Sequence, residues 1–319
     1  MPRQLWVLPI AHIEHGRPAL DALGQKYPDD IFSPPPAGAL ARLIEGDAYA
    51  VGIYRDEWGC VFENLQAGVI GEVKQPLLDD WARLDRVKPP EPLLQIDAAE
   101  VNRLYAASDK FMTAPCWARP FERMQFLRGS ENLYLDLAEE PPELSELIRV
   151  VHGYYRKEVE VWSRTRVDAL MIMDDWGSQR SLLISPAQWR RLFKPLYREY
   201  CDIAHAAGKK IFMHSDGCIA DIYEDLIEIG VDAVNSQLFI MDIEAIGRRC
   251  KGRITFWGEI DRQQLLPHGT PEECREAVRR VAAALMHQGG GVIAQFEFGA
   301  AAKLPNAYAI FDAWDTIRA

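Results

Sequence analysis

Eight short apolar runs, nearly all separated by helix-like stretches, restrict the fold of this chain more than any other feature. They fall at 5–10, 30–33, 111–116, 168–173, 210–214, 231–236, 254–258 and 291–296. The central run, Ile211-Phe212-Met213, lies between Gly208 and Gly217 and lacks polar alternation. A strand of that kind is buried on both faces, as in a parallel sheet covered by helices. Helix punctuation falls between the runs. Ser185-Pro186 supplies an N-cap and a first-turn proline for a helix to Ala207. Thr270-Pro271-Glu272-Glu273 is a capping box. Pro141-Pro142 breaks 133–166 into two helices. Strands and helices alternating in this number predict a (β/α)8 TIM barrel, an α/β fold, as a single domain over 1–319. No G-x-G-x-x-G or G-x-x-x-x-G-K-[ST] occurs, which removes the main support for a nucleotide fold.

One stretch interrupts the alternation. After Pro34-Pro35-Pro36, residues 37–108 read as an insertion following the second strand. Within it, Val51–Asn64 has strand composition on both sides of Glu57-Trp58-Gly59 and predicts a hairpin or lid. A lid over the barrel mouth would bring Glu57 or Trp58 to the substrate. Leu77–Val87 is a short helix candidate, and Asp97 caps a helix that runs to about Ser108.

Charge narrows the partners. A net charge of −11 argues against nucleic acid or an anionic membrane, both of which demand basic patches. Six scattered cysteines without a CxxC pair fit reduced thiols in the cytoplasm. No apolar run approaches the roughly 20 residues of a membrane span, and the first residues carry no signal-peptide pattern. The expectation is a soluble cytoplasmic protein.

In a parallel barrel the C-terminal strand ends share one mouth. Here they offer His12; Asp174 and Asp175; His214 and Asp216; Asn235 and Gln237; Glu259 and Asp261; and Glu297. His214 and Asp216 are one residue apart in an extended segment, so they point the same way. Carboxylates around a histidine can hold a metal, divide into acid and base partners, or bind a cationic group. Helix capping is the structural alternative, and it suits Asp242 and Asp261 best.

The segments DDWGSQRSLLISPAQWRRLFKPLYREYCDIAHAAGKKIFMHSDG, LIEIGVDAVN, ITFWGEIDRQQLLPHGTPEECREAV and GGGVIAQFEFG resemble the uroporphyrinogen decarboxylase-like superfamily. That superfamily joins the haem-pathway decarboxylase to corrinoid- and cobalamin-linked methyltransferases on one barrel. The resemblance covers essentially the whole chain. YRDEWGCVFENLQAGVIGE in the insertion is similar to the methyltransferase-like branch. The decarboxylase's arginine-rich segment after the first strand is replaced by PIAHIEHGRP, with only Arg17. Zinc methyltransferases carry a His-x-Cys pair after the central strand and a further Cys near the last. Here His214 matches the first ligand, Asp216 replaces the thiolate, and Glu297 lies near the second Cys position. The resemblance therefore implies a harder metal site of His214, Asp216 and Glu297, open to Zn²⁺, or a metal-free acid/base site. Cys218 reads as a buried structural thiol.

The expected function is methyl transfer between a small methylated substrate or thiol and a corrinoid, in which a corrinoid protein is a candidate partner. Asp174, Asp175, His214 and Glu259 are the catalytic candidates. His12, Glu57, Trp58, Asn235 and Gln237 are the candidate substrate contacts. A tetrapyrrole decarboxylase and a non-catalytic corrinoid- or tetrapyrrole-binding protein are the alternatives, and the resemblance implies a homodimer.

Overall fold

The computed structural model describes residues 1–35 and 40–318. Residues 37–39, where the insertion is expected to start, lie outside the described residues. Eight parallel strands form the barrel: β1 (Arg3–Val7), β2 (Ile31–Phe32), β3 (Phe111–Ala114), β4 (Ala169–Met173), β5 (Lys210–Ser215), β6 (Ala233–Ser236), β7 (Thr255–Glu259) and β8 (Val292–Phe298). Their order is β1-β8-β7-β6-β5-β4-β3-β2, the sequence of a (β/α)8 barrel. The β1/β2 seam is closed differently. The Asp30 amide donates to the Arg3 carbonyl at 2.9 Å. In return, the Arg3 and Leu5 amides donate to the carboxylates of Asp30 and Asp29, at 2.8 and 2.7 Å. Two side chains thus do what a longer β2 would do with its backbone.

Strand periodicity sorts the apolar residues into two cores. Ile31, Ala169, Met171, Phe212, Ala233, Trp257 and Ile293 fill the barrel interior. Their neighbours, such as Leu170, Ile172, Ile211, Met213 and Val234, pack outward beneath the helices. Both faces are buried against apolar neighbours, so the strands read as continuous apolar runs.

Several boundaries differ from expectation. β1 stops at Val7 because Pro9 opens a helix, Pro9–His15, where a missing N–H costs nothing. β8 continues through Glu297 to Phe298. The helix expected from Pro186 to Ala207 is two, Pro186–Leu192 and Lys194–Ala206. Pro195, in the second one's first turn, cannot donate back to the preceding turn. The break at Pro141-Pro142 is present, with Glu140 in the left-handed region at φ 53° between Ser130–Glu139 and Pro142–Ser163.

The insertion contains the hairpin, Gly52–Arg55 against Val61–Asn64, and adds a third antiparallel strand, Glu72–Gln75. Trp81–Arg86 is a 3-10 turn rather than an α-helix. Asp97 caps Ala98–Ala107, accepting from the Glu100 amide at 2.9 Å. One residue clamps this sheet to the barrel. Arg123, fully buried on helix Pro120–Arg128, pairs with Asp56 and, at 2.7 Å, with Glu57. All six cysteines are free, and among the described residues no helix is long and apolar enough to cross a membrane.

Candidate functional site

His214 lies near the C-terminal end of β5 and points into the barrel with Phe212, two residues earlier. Its Nδ1 is 2.6 Å from Asn235 Oδ1, and Asn235 Nδ2 donates to the Trp257 carbonyl at 3.0 Å and to Gln295 at 3.1 Å. The carbonyl accepts only, so the Asn235 amide has one orientation. His214 must then donate from Nδ1, so in the neutral ring the lone pair is on Nε2, facing the mouth. Two carboxylate oxygens face that lone pair: Asp175 Oδ1 and Asp216 Oδ1, each 3.6 Å from Nε2. The three groups converge closely enough to hold one metal ion.

The loops after β4 and β5 are pressed together to make this cluster. The Asp216 amide donates to Asp175 Oδ1 at 2.9 Å, and the Gly177 amide to the Asp216 carbonyl at 3.1 Å. A Cβ on Gly217, which sits at φ +81°, would lie 2.0 Å from the Gly177 carbonyl oxygen. Only glycine permits that approach.

Arg262 completes the site, and the pattern of strand ends does not point to it. It lies three residues beyond Glu259, and its guanidinium reaches Asp216 Oδ2 at 2.5 Å, Glu259 at 3.2 Å, and Glu297. Asp216 is therefore split: Oδ2 is held by Arg262, while Oδ1 is buried and has no hydrogen-bond partner among the described residues. Burial pushes the Glu259 and Glu297 carboxyls up, against the pull of Arg262. Asp175 is also raised by burial, with His214 opposing and Asp216 adding to the shift.

The expected residues do not all meet here. Glu297 belongs to the Arg262 network, and Asp175 takes its place beside His214 and Asp216. Asp174 faces the opposite way, fully buried: it accepts from the Phe121 and Glu122 amides at 2.8 and 2.7 Å and from the Tyr197 hydroxyl at 2.5 Å. It caps helix Pro120–Arg128 rather than facing the mouth. Asn235, with no exposed surface, supports His214 instead of touching a ligand. Gln237 accepts from the Gly217 amide at 3.1 Å and shapes the β5 loop. His12 is exposed on helix Pro9–His15, not at a strand end. Cys218 is half-buried, its amide bonded to the Ser178 carbonyl.

Glu57 and Trp58 line a cavity of about 710 Å³ between the insertion, the C-terminal ends of β3 and β4, and helix Pro142–Ser163. Met173, at the end of β4 two residues before Asp175, lies in its wall, as does Glu122, whose amide donates to Asp174. Glu158, in the same wall, is absent from the expected set. It follows Tyr154 by one helical turn and interrupts an otherwise apolar stripe, the signal by which a sequence can show it.

The family model described as uroporphyrinogen decarboxylase (URO-D) matches residues 57–314. The chain belongs to the URO-D family. The match takes in β3 to β8, the Asp175–His214–Asp216 cluster and Arg262. No curated protein sequence matches the chain. Among solved structures, a methyltransferase from Methanosarcina mazei has the same fold over 100% of this chain and 93% of its own, at TM-score 0.66 and 15% identity. The IOLI protein with a bound zinc atom aligns over 100% of this chain and 98% of its own, at 10% identity and TM-score 0.43, too distant to inform the site.

Proposed function

We propose that this URO-D family protein is a methyltransferase that moves a methyl group between a small methylated substrate or thiol and a corrinoid, free or carried on a protein. The observation that supports it is the Asp175–His214–Asp216 cluster, an oriented imidazole whose Nε2 faces a carboxylate oxygen that has no hydrogen-bond partner among the described residues. Ligands about 2.0–2.2 Å from a tetrahedral Zn²⁺ stand roughly 3.3–3.6 Å from one another, and both carboxylates lie 3.6 Å from His214 Nε2. The residues present fit a divalent ion, with Asp175, His214 and Asp216 as its ligands. A bound Zn²⁺ would supply Lewis acidity, lowering the pKa of a thiol or water so that it is a nucleophile at neutral pH.

The chain's own residues do the rest. Asn235 fixes the tautomer and orientation of His214. Arg262 occupies Asp216 Oδ2 and turns Oδ1 toward the cluster. Glu259 and Glu297, whose carboxyls burial raises against the pull of Arg262, stand beside it where either can take up or return a proton.

The test is elemental analysis of protein purified without chelators, followed by absorbance assay of methylcobalamin demethylation with a thiol acceptor. Near-stoichiometric zinc is expected, and His214→Ala should lose both metal and turnover. Metal-free wild type whose turnover survives a chelator would overturn the metal role, and absence of any demethylation would overturn the function.

A further inference from the structure

The cavity beside the cluster has a composition of its own. Tyr154, Tyr155 and Trp162 face it from one helix, Trp58 and Tyr54 from the insertion, and Trp117 from the loop after β3. Its charged wall is mostly acidic. Asp56 and Glu57 are paired with Arg123 behind them, and Glu122 with Arg119 at 3.0 Å. Glu158 differs from these: among the described residues no Lys, Arg or His is ion-paired with it, and its neighbour is the Cys116 thiol at 3.8 Å. A carboxyl with no direct ion-pair partner, facing an aromatic chamber too large to be a packing defect, leaves room for a cation beside it.

Aromatic faces attract cations through their quadrupole, and the attraction grows when the cation is desolvated. A primary ammonium would forfeit three hydrogen bonds on entering such walls, whereas an N-methylated one has few or none to lose. An anion would meet Asp56, Glu57, Glu122 and Glu158 with only Arg119 in its favour, and that guanidinium is already engaged. A volume of about 710 Å³ suits a whole small molecule rather than a bare ammonium.

We infer that this cavity binds an organic cation bearing a methylated ammonium group, with Glu158 as its counter-charge and Tyr154, Tyr155 and Trp162 as its aromatic walls. Such a ligand carries transferable methyl groups on nitrogen, so it is the methyl donor class if the methyl-transfer reading holds. The binding itself does not depend on that reading.

The experiment is calorimetric titration at pH 8.5 with phenyltrimethylammonium and choline, compared with 3,3-dimethylbutan-1-ol, the neutral isostere of choline. The cations should bind, and choline at least tenfold more tightly than the alcohol. Glu158→Gln should remove that preference while leaving any weak alcohol binding intact, which also shows that the variant is folded. Glu158→Asp should retain part of the preference. Equal affinity for choline and its isostere, no binding of either cation, or full preference in Glu158→Gln would overturn the inference. Cations that bind but never methylate cob(I)alamin would leave the binding site standing and count against methyl transfer alone. Demethylation of methylcobalamin by a protein that binds no cation would do the reverse.

Discussion

Asp174 and Asp175 show how much one residue's parity decides. Neighbours in a strand face opposite sides, and Asp175 shares its phase with Met171, inside the barrel, while Asp174 shares that of Ile172, outside. Parity is a property of the sequence, so alternation alone separates the two aspartates. It says nothing of Arg262 or the orphaned Asp216 oxygen, which loop geometry brings together. The pair gives opposed outcomes. Asp174→Ala should cost about 2–3 kcal/mol, from a lost cap and a buried Tyr197 hydroxyl left without its acceptor, and leave the metal content unchanged. Asp175→Ala should lose metal at a smaller cost in stability, about 1 kcal/mol for the lost acceptor of the Asp216 amide. Urea unfolding with elemental analysis of both variants checks this. A second residue-scale prediction concerns pH. Burial raises the Glu158 carboxyl to about 8, with Glu57 adding to the shift and Arg119, Cys116 and Arg123 opposing it. Below that pH a cation must expel a proton from Glu158 to bind its carboxylate. Affinity for phenyltrimethylammonium should therefore rise nearly tenfold per pH unit up to about 8 and then level off. Calorimetry from pH 6 to 9 should show this in the wild type and a flat profile in Glu158→Gln.

At the scale of elements, the chain announces its caps and stops better than its strand ends. Ser185, Thr270 and Asp97 cap where their side chains predict, because a cap is a local hydrogen bond. The end of β1 is harder to read because Leu8-Pro9-Ile10 is apolar in either conformation, although Pro9 suits the first position of a helix. The insertion's attachment is invisible in the sequence, since Arg123 lies 66 or more positions from Asp56 and Glu57. That clamp makes a prediction. Arg123→Ala would leave two carboxylates, one of them nearly buried, without their cation, a loss of roughly 3–5 kcal/mol. The insertion sheet should feel it first. Hydrogen exchange should speed up across 52–75 before β4 and β5 change. Uniform loss of protection through the barrel would mean that Arg123 stabilises the whole domain instead.

For the molecule as a whole, the distribution of charge separates the two chemistries of the URO-D family. Uroporphyrinogen is a polycarboxylate, and each carboxylate buried without a partner costs several kcal/mol by order of magnitude. The mouth presents Asp175, Asp216, Glu259 and Glu297 around a single Arg262 that is already shared among three of them. Incubation with uroporphyrinogen under reducing conditions should therefore yield no less-carboxylated products, and their steady accumulation would count against methyl transfer. The barrel itself is readable because eight buried strands leave eight apolar runs. Its closure is less so, since Asp29 and Asp30 substitute for ladder bonds at the β1/β2 seam. The way the ring closes also sets a timetable for folding. β1 forms its ladder with β8, Arg3 to Val7 against Ala294 to Phe298. The two are about 290 residues apart, so at about 5–20 residues per second of synthesis the first strand waits roughly 15–60 s for its mate. Throughout that interval Trp6 and the inner face it belongs to have no finished barrel to enter. On the ribosome the barrel stays an unclosed sheet until β8 emerges, and its own first strand is among the last to find its place.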